Sequence, residues 1–345
     1  MTKPLLSICI ATYNRAQYIG ETLLSIIPQL TDETEIIIVD GASTDNTRAV
    51  VDEYIQSCRQ IHYIQLPCKG GVDQDFCKAV EYAQGEYCWL MSDDDILKPG
   101  AVEKVLAEIL NNNYSLIIVN AEVRSADLSK MIDTKRLQIT KNIIYTPTEN
   151  EKLFVDMAGY LSFIGCVVIR KQLWMERERE KYFGTAFIHV GVIFQHSLPA
   201  NTLVIAEPLI VIRYGNAEWT ARAFEIWMFK YPNLIWSFTD FSDESKALII
   251  PKEPYLRCST LLTYRARSAY SIDDYQRFLA SKIRSRWTRF VAKNIAEVPG
   301  SFLNFLAVLY YSLIYRASRM PLIDIKNSQF YWRRLLKKRN NNANI

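Results

Sequence analysis

The sequence predicts an α/β protein: a doubly wound, mostly parallel sheet followed by a helical, basic C-terminal extension. Three observations predict it. Short apolar runs alternate with amphipathic stretches over the first 125 residues or so, which is how a parallel sheet covered by helices is written in sequence. Runs such as "EIIIVD" are continuously apolar, as strands covered on both faces must be. The charge is also split. The chain carries a formal +4, yet residues 251–345 hold 18 Lys+Arg against 5 Asp+Glu, a net +13, which leaves −9 for the rest.

The elements follow in order. "LLSICIATYN" reads as the first strand, and "RAQYIGETLLSIIPQL" as a helix with Tyr18, Ile19, Thr22, Leu23, Ile26 and Ile27 on one side. "EIIIVD" is the second strand, and "STDNTRAVVDEYIQS" a helix capped by Ser43 or Thr44, with Asp45 as another residue able to start it. "IHYIQL" is the third strand, followed by the helix "DQDFCKAVEYAQG", which Gly85 would end. "EYCWLMS" is the fourth strand, a helix starts near Pro99, and "YSLIIVNAEV" is the fifth strand. From 121 to 215 the pattern loosens: "SFIGCVVIRK" and "LVIAEPLIVIRYG" read as strands, with a loop and helix in "KYFGTAFIHVGVIFQHSL" between them. Beyond Gly215 the text is helical, aromatic and basic, so the expected division is 1–215 and 216–345.

With 345 residues, 49% hydrophobic and 23% charged, the chain can bury a large core. Disorder is expected only at the closing "RNNNANI". Seven cysteines without a CxxC pair point to reduced thiols in a cytosolic compartment rather than to a zinc site or a disulfide framework. The first residues run straight into a strand, so no signal peptide is expected. The absence of G-x-G-x-x-G argues against a dehydrogenase. No glycine follows the first strand until Gly20, which argues against a nucleotidyltransferase with a glycine-rich phosphate loop.

Two acidic spots carry the chemistry. In a doubly wound sheet, ligands bind beyond the carboxyl ends of the strands. Asp40 ends the second strand and opens the turn "DGAST"; Asp93, Asp94 and Asp95 follow the fourth strand. The two spots are expected to share one crevice. Three adjacent carboxylates suit Mg²⁺ or Mn²⁺, hard cations that are held by one or two carboxylates and completed by substrate phosphates. A solvated acidic turn is the plain alternative. Residues 301–315, "SFLNFLAVLYYSLIY", fall short of the ~20 apolar residues that span a bilayer. With Arg316, Arg319 and "WRRLLKKR" beside it, this helix could lie in a membrane interface. The other reading is a C-terminal helix packed on the protein with a solvated basic face. No nucleic-acid module is visible, and the positive charge lies away from the acidic crevice.

"SICIATYNR", "EIIIVDGASTDNT" and "GEYCWLMSDDD" together resemble, in order and spacing, the nucleotide-sugar domain of the family 2 glycosyltransferases, whose Rossmann-like fold is called GT-A. The resemblance is close over 4–120 and loose over 121–215. Within the family, the text from "GGVDQDF" through "SDDDILKPG" looks most like the branch of abequosyltransferase-like enzymes, which move a deoxysugar from a nucleotide onto a lipid-linked unit. The resemblance implies a metal-assisted, inverting transferase. Its donor would be a nucleoside-diphosphate sugar and its acceptor a saccharide, lipid-linked, at the inner face of the cell membrane. Ala11, Thr12 and Tyr13 would line the base pocket, with Asn14 and Arg15 at its rim. Asp40 would read a pyrimidine, with Gly41 and Ser43 shaping its loop. Asp93 would sit near the ribose and share the metal with Asp95. Asp94 would sit between them, near sugar or metal, as a catalytic candidate. Asp73 and Asp75 would face the donor sugar.

The family's usual Glu-Asp pair is missing from 150–215. The matching place holds His189, either the base that takes the acceptor's proton or a packed histidine bonded to a carbonyl. Asp156 is a further candidate in a helical setting, and His196 reads as structural. A non-catalytic nucleotide-sugar-binding protein with a degenerate site is therefore the alternative function.

Overall fold

The computed structural model describes residues 3–216, 222–315 and 320–332. The elements of the first part are β1 (Leu6–Thr12), α1 (Ile19–Ile26), β2 (Thr34–Asp40), α2 (Thr47–Ile55), β3 (Ile61–Gln65), α3 (Val72–Tyr82), β4 (Tyr87–Met91), β5 (Ile96–Leu97), α4 (Ala101–Asn111), β6 (Leu116–Ser125), β7 (Met131–Asp133), β8 (Ile143–Tyr145), α5 (Asn150–Met157), β9 (Val167–Arg170), α6 (Lys171–Glu176), α7 (Ile188–Phe194) and β10 (Thr202–Tyr214). Among the described residues, ten strands make one sheet in the order β3-β2-β1-β4-β9-β6-β10-β5, with β7 on β6 and β8 on β10.

The four strands β3, β2, β1 and β4 are parallel. Every residue of β2 and β4 is buried, which is why their sequences run apolar without alternation. Helix α1 packs through Ile19, Thr22, Leu23 and Ile26. Past β4 the simple doubly wound reading changes. The fifth predicted strand, β6, does not lie beside β4. The later segment "VVIR" enters between them as β9, antiparallel to both. Nothing local in β6 announces this insertion, because a buried strand looks apolar whatever its neighbour's direction.

Two local expectations are corrected. Gly85 does not end α3, whose last turn closes at Ala83. Instead it lets the backbone pass β1: a Cβ there would lie 2.7 Å from the Ser7 nitrogen, and the Gly85 N–H donates to Ser7 Oγ at 2.8 Å. Nor do Ser43 and Thr44 cap α2. The cap position is Asn46, which makes no side-chain cap bond; Asp45, one residue earlier, accepts from the Thr47 N–H at 3.0 Å, while the Ser43 hydroxyl accepts from the Asn14 N–H at 2.8 Å.

The chain forms two compact units, residues 1–213 with 236–249, and residues 214–235 with 250–345. The division is therefore not a single cut near 215, because 236–249 return to the first unit. There Phe154 stacks on Phe241 at 3.9 Å and meets Phe194 edge-on at 5.0 Å. The remaining helices are α8 (Ala223–Glu225), α9 (Tyr231–Ser237), α10 (Asp243–Ile249), α11 (Cys258–Ala266), α12 (Ile272–Asp274), α13 (Arg286–Glu297), α14 (Gly300–Leu313) and α15 (Met320–Asn327). The second unit has its own core, in which Phe224, Tyr255, Leu261, Tyr270 and Leu279 are buried together. The five residues 217–221 of the aromatic stretch after Gly215 lie outside the described residues. So do Arg316, Arg319, the basic run from Arg333 and the "RNNNANI" end.

Candidate active site

The carboxyl ends of β2, β1 and β4 lie side by side. Thr12 is in register with Asp40, and Ile10 with Met91. At the usual strand spacing, the Asp40 turn and the turn after Met91 are thus separated by one strand, about 10 Å. The two acidic spots share one edge, as the sequence implied.

The turn after β2 is built around Asp40, which is fully buried. One carboxylate oxygen accepts from the Ser43 N–H at 2.7 Å, and the other accepts from the Tyr63 hydroxyl of β3. Burial and the hydrogen bond to Asp40 push the Tyr63 phenol well above its ordinary value. Gly41 is required here by space: its N–H donates to the Thr12 carbonyl at 2.9 Å, and a Cβ would lie 2.8 Å from Asp75 Oδ2. Asp75 is buried, and its Oδ1 has no hydrogen-bond partner. Burial first, and then the charge of Asp40, push its carboxyl up to about 6 against the pull of Lys69.

The loop after β1 leans on the loop after β2. Asn14, at a left-handed φ of 54°, accepts from the Thr44 N–H at 2.8 Å. The Arg15 N–H donates to Thr47 Oγ1 at 2.9 Å, and the Ala16 N–H to Asp45 Oδ2 at 3.1 Å. The Lys69 ammonium stands 3.6 Å above the Tyr13 ring. Thus Ala11, Thr12, Tyr13, Arg15, Asp40, Gly41 and Ser43 belong to one stretch of the sheet edge.

The turn after β4 holds the charge. Asp93 and Asp95 are buried and Asp94 is half-buried. Burial and the charge of Asp94 push the Asp93 carboxyl up to about 7, opposed by Arg15, whose Nε lies 3.5 Å from Asp93 Oδ1. Burial and the same Asp94 charge push Asp95 well above the usual carboxylate range. Asp95 Oδ1 accepts from the Arg213 backbone N–H at 2.9 Å, and Ser92 donates to Asp94. Among the described residues no three His, Cys, Asp or Glu side chains surround a common point for a metal. The donor set nevertheless fits a hard cation completed from outside. It is all carboxylate oxygen, the ligand type such a cation takes, with substrate phosphates to complete it.

Arg213 was not legible as a site residue. It lies buried near the end of β10. Its Nε donates to the Asp94 carbonyl at 2.9 Å, its Nη1 to the Ala126 carbonyl at 2.9 Å, and its Nη2 to Glu21. The available signal was an arginine inside the apolar run "LIVIRYG", since an arginine so placed needs partners.

The other expected residues make the following contacts. Asp73 uses both oxygens on the backbone before α7, accepting from the Ala186 N–H at 2.9 Å and the Ile188 N–H at 3.1 Å. It anchors that segment, and those oxygens are engaged there. His189 is fully buried, with Nε2 2.6 Å from the Leu161 carbonyl and no partner on Nδ1. Burial lowers its pKa to about 4, against the pull of the Leu161 carbonyl. Of the two readings left open, this geometry is that of the packed, carbonyl-bonded histidine. Asp156 accepts from Tyr145 at 2.7 Å and pairs with Lys152. His196 lies 3.4 Å from Asp240.

An α/β sheet with a curled mixed half and an acidic turn beyond its central parallel strands is the GT-A glycosyltransferase architecture. The family model "Glycosyl transferase family 2" matches residues 7–170, so that segment, a little under half of the chain, is similar to the family 2 glycosyltransferases. A curated relative, abequosyltransferase RfbV of Salmonella typhimurium, is 27% identical over 225 residues, 61% of this chain and 67% of the relative. Further relatives match over 62% and 38% of their own lengths, so the chain spans no more than about two thirds of these proteins. Among solved structures, S. aureus TarS 1–349 in complex with UDP-GlcNAc covers 95% of this chain and 90% of its own, at 15% identity and a TM-score of 0.54. The mannosyltransferase PcManGT of Pyrobaculum calidifontis, in complex with GDP-Man and Mn²⁺, covers 96% and 88% at 14% identity and a TM-score of 0.52. At such identities these two structures speak for the fold alone.

Proposed function

We propose that this glycosyltransferase moves one sugar, with inversion, from a nucleoside-diphosphate sugar to a lipid-linked saccharide during synthesis of a cell-surface polysaccharide or O-antigen. The single observation that carries the reading is the convergence of the buried Asp40 turn and the Asp93–Asp95 turn at one sheet edge. The first would take the base, where carboxylate oxygens meet N–H donors. The second would face the diphosphate. Solved neighbours of the same fold bind UDP-GlcNAc and GDP-Man, which supports a nucleotide-sugar donor. The abequosyltransferase relative supports a deoxyhexose.

Asp95, with Asp93, would hold Mg²⁺ or Mn²⁺, and the ion would supply charge stabilisation to the departing diphosphate. Arg15 and Arg213 brace the turn against its own repulsion. Asp94 is the least buried of the three carboxylates and so the one open to an acceptor hydroxyl. The enzyme would work at the cytoplasmic face of the membrane, on its surface, as a lipid-linked acceptor requires.

One test is a panel of nucleotide sugars assayed for hydrolysis and transfer with Mn²⁺ and a membrane lipid extract. Asp95→Ala should remove metal-dependent nucleotide binding. Binding that ignores the metal in both proteins would overturn the role of the turn. A second reading, a nucleotide-sugar binder without turnover, is favoured by the burial of His189. Tight donor binding with no hydrolysis or transfer across the panel would establish it.

A further inference from the structure

Helix α14 turns its apolar side outward. Its residues Phe302, Phe305, Leu306, Leu309, Tyr310 and Leu313 are all exposed, Leu313 at 68%. Their spacing of i, i+3, i+4, i+7, i+8 and i+11 makes them one continuous stripe. Ile314, 70% exposed, extends it past the helix end. The buried residues Gly300 and Asn304 lie on the opposite side. Asn304 Nδ2 donates to the Ala266 carbonyl at 3.0 Å and the Ile325 carbonyl at 2.8 Å, so it pins the helix to α11 and α15 by its polar line. An amphipathic helix of a water-soluble unit packs the other way round. A contiguous exposed stripe of large apolar side chains marks a surface that meets something.

The surrounding chemistry selects the partner. From Gly300 to Tyr315 there is no Asp, Glu, Lys or Arg, and from 316 to 339 there are eight Lys+Arg against Asp324 alone. Asp324 is already paired with Arg267. On α13, Trp287 (71% exposed) stacks on Phe290 with centroids 5.8 Å apart, with Arg284 and Arg286 exposed at the helix start, while Lys293 pairs with Glu297 at 3.6 Å. An aromatic and aliphatic stripe within a basic stretch of sequence matches an anionic lipid surface, where rings sit at headgroup level and cations meet phosphate. A second copy of this chain would bring like charges together. Nucleic acid would leave the apolar stripe without a partner.

We propose that the outward stripe of α14 is a docking surface for an anionic bilayer, with the helix lying along the interface. At 1.5 Å per residue its 14 residues reach about 21 Å, short of the ~30 Å hydrocarbon core. No helix among the described residues is long and apolar enough to cross a membrane. This inference rests on the proposed function only for its purpose, the delivery of the transferase to a lipid-linked acceptor; the docking itself needs no catalysis.

The test is flotation of the full chain with vesicles of phosphatidylcholine, alone or mixed with phosphatidylglycerol. The protein should bind the mixed vesicles roughly tenfold or more tightly than neutral ones, and salt should weaken binding. Leu309→Ser with Leu313→Ser should lose roughly tenfold or more on mixed vesicles, with thermal midpoint and nucleotide affinity unchanged. Leu309→Trp with Leu313→Trp should keep it, and Leu24→Ser on α1, exposed in the first unit, should not affect it. Three results would overturn the proposal: a wild-type chain that stays unbound, a serine double variant that binds as well, or a wild-type dimer that this variant dissolves without any lipid binding. In each case donor hydrolysis in detergent-free buffer reports separately whether the transferase reading survives.

Discussion

The backbone N–H of Arg213 donates to Asp95 Oδ1 at 2.9 Å, while the side chain of the same arginine clasps the Asp94 carbonyl, the Ala126 carbonyl and Glu21. Two different parts of one residue thus do two jobs. The main chain orients the carboxylate, and the guanidinium holds the turn that carries it. Arg213→Ala keeps the first contact and loses the second, leaving the Asp94 and Ala126 carbonyls short of a donor. A loss of about 2–4 kcal/mol in unfolding free energy is expected by urea titration. Arg213→Lys should recover less than half of it, because an ammonium cannot reproduce the fork. Full recovery by lysine would count against the fork.

Gly41 and Asp75 form a steric pair. A methyl group at position 41 would press on Asp75 Oδ2 at 2.8 Å. Gly41→Ala should therefore weaken nucleotide binding roughly tenfold or more, and adding Asp75→Ser should restore much of that loss. Calorimetric titration of the double-mutant cycle reads the coupling. Additive effects would show that the two residues do not meet.

Asp75 also sets a pH dependence. Its folded pKa of about 6 lies above the ordinary 3.8, so the folded state holds the proton more tightly than the unfolded chain. Its contribution to stability is full below about pH 4 and is lost as pH rises through about 6. Asp75→Asn should then be more stable than wild type at pH 7.5, by up to about 3 kcal/mol, and gain little at pH 4. Equal gains at both pH values would refute this.

His189 has the opposite sign. Its folded pKa of about 4 lies below the ordinary 6.5, because burial disfavours the imidazolium. The unfolded chain takes up a proton as pH falls below 6.5, so stability drops between pH 6.5 and about 4 by roughly 3 kcal/mol. His189→Gln should flatten that slope in thermal melts. A change in the pH profile of turnover, with the stability profile unchanged, would return His189 to the role of base.

Gly85 faces the backbone of β1. Gly85→Ala should cost about 1–3 kcal/mol by overpacking, because besides Ser7 Oγ at 2.6 Å it meets Ser7 N at 2.7 Å and the Leu6 carbonyl carbon at 3.0 Å, main-chain atoms that cannot swing aside. Chemical denaturation at neutral pH measures it, and a loss below about 0.5 kcal/mol would mean that β1 yields.

The parallel half of the sheet was legible because each of its strands is a short apolar run bounded by turn residues, buried throughout in β2 and β4. Asp40 and the Asp93–Asp95 turn were legible because charge at a strand's end is conspicuous. The placement of β9 was not, since its partners are distant in sequence and apolar character does not encode strand direction. His189 misled for a related reason: an imidazole next to a glycine-containing loop has the same spelling whether it faces a cleft or a carbonyl. Asp73 was conspicuous as a charge, but its partners, two backbone N–H groups at 186 and 188, leave no trace in residue identity. Tyr63 carries no local signal either, because a tyrosine in a strand is spelled the same whether or not its phenol meets a carboxylate.

That phenol has a consequence for selectivity. Asp40 already holds Tyr63 on one oxygen, so under the proposed role of Asp40 a nucleobase would enter an exchange of partners, and its gain would be the difference between two hydrogen bonds, about 1 kcal/mol. The tyrosine would then act as an internal competitor that a weakly donating base fails to displace and a well-aligned one replaces.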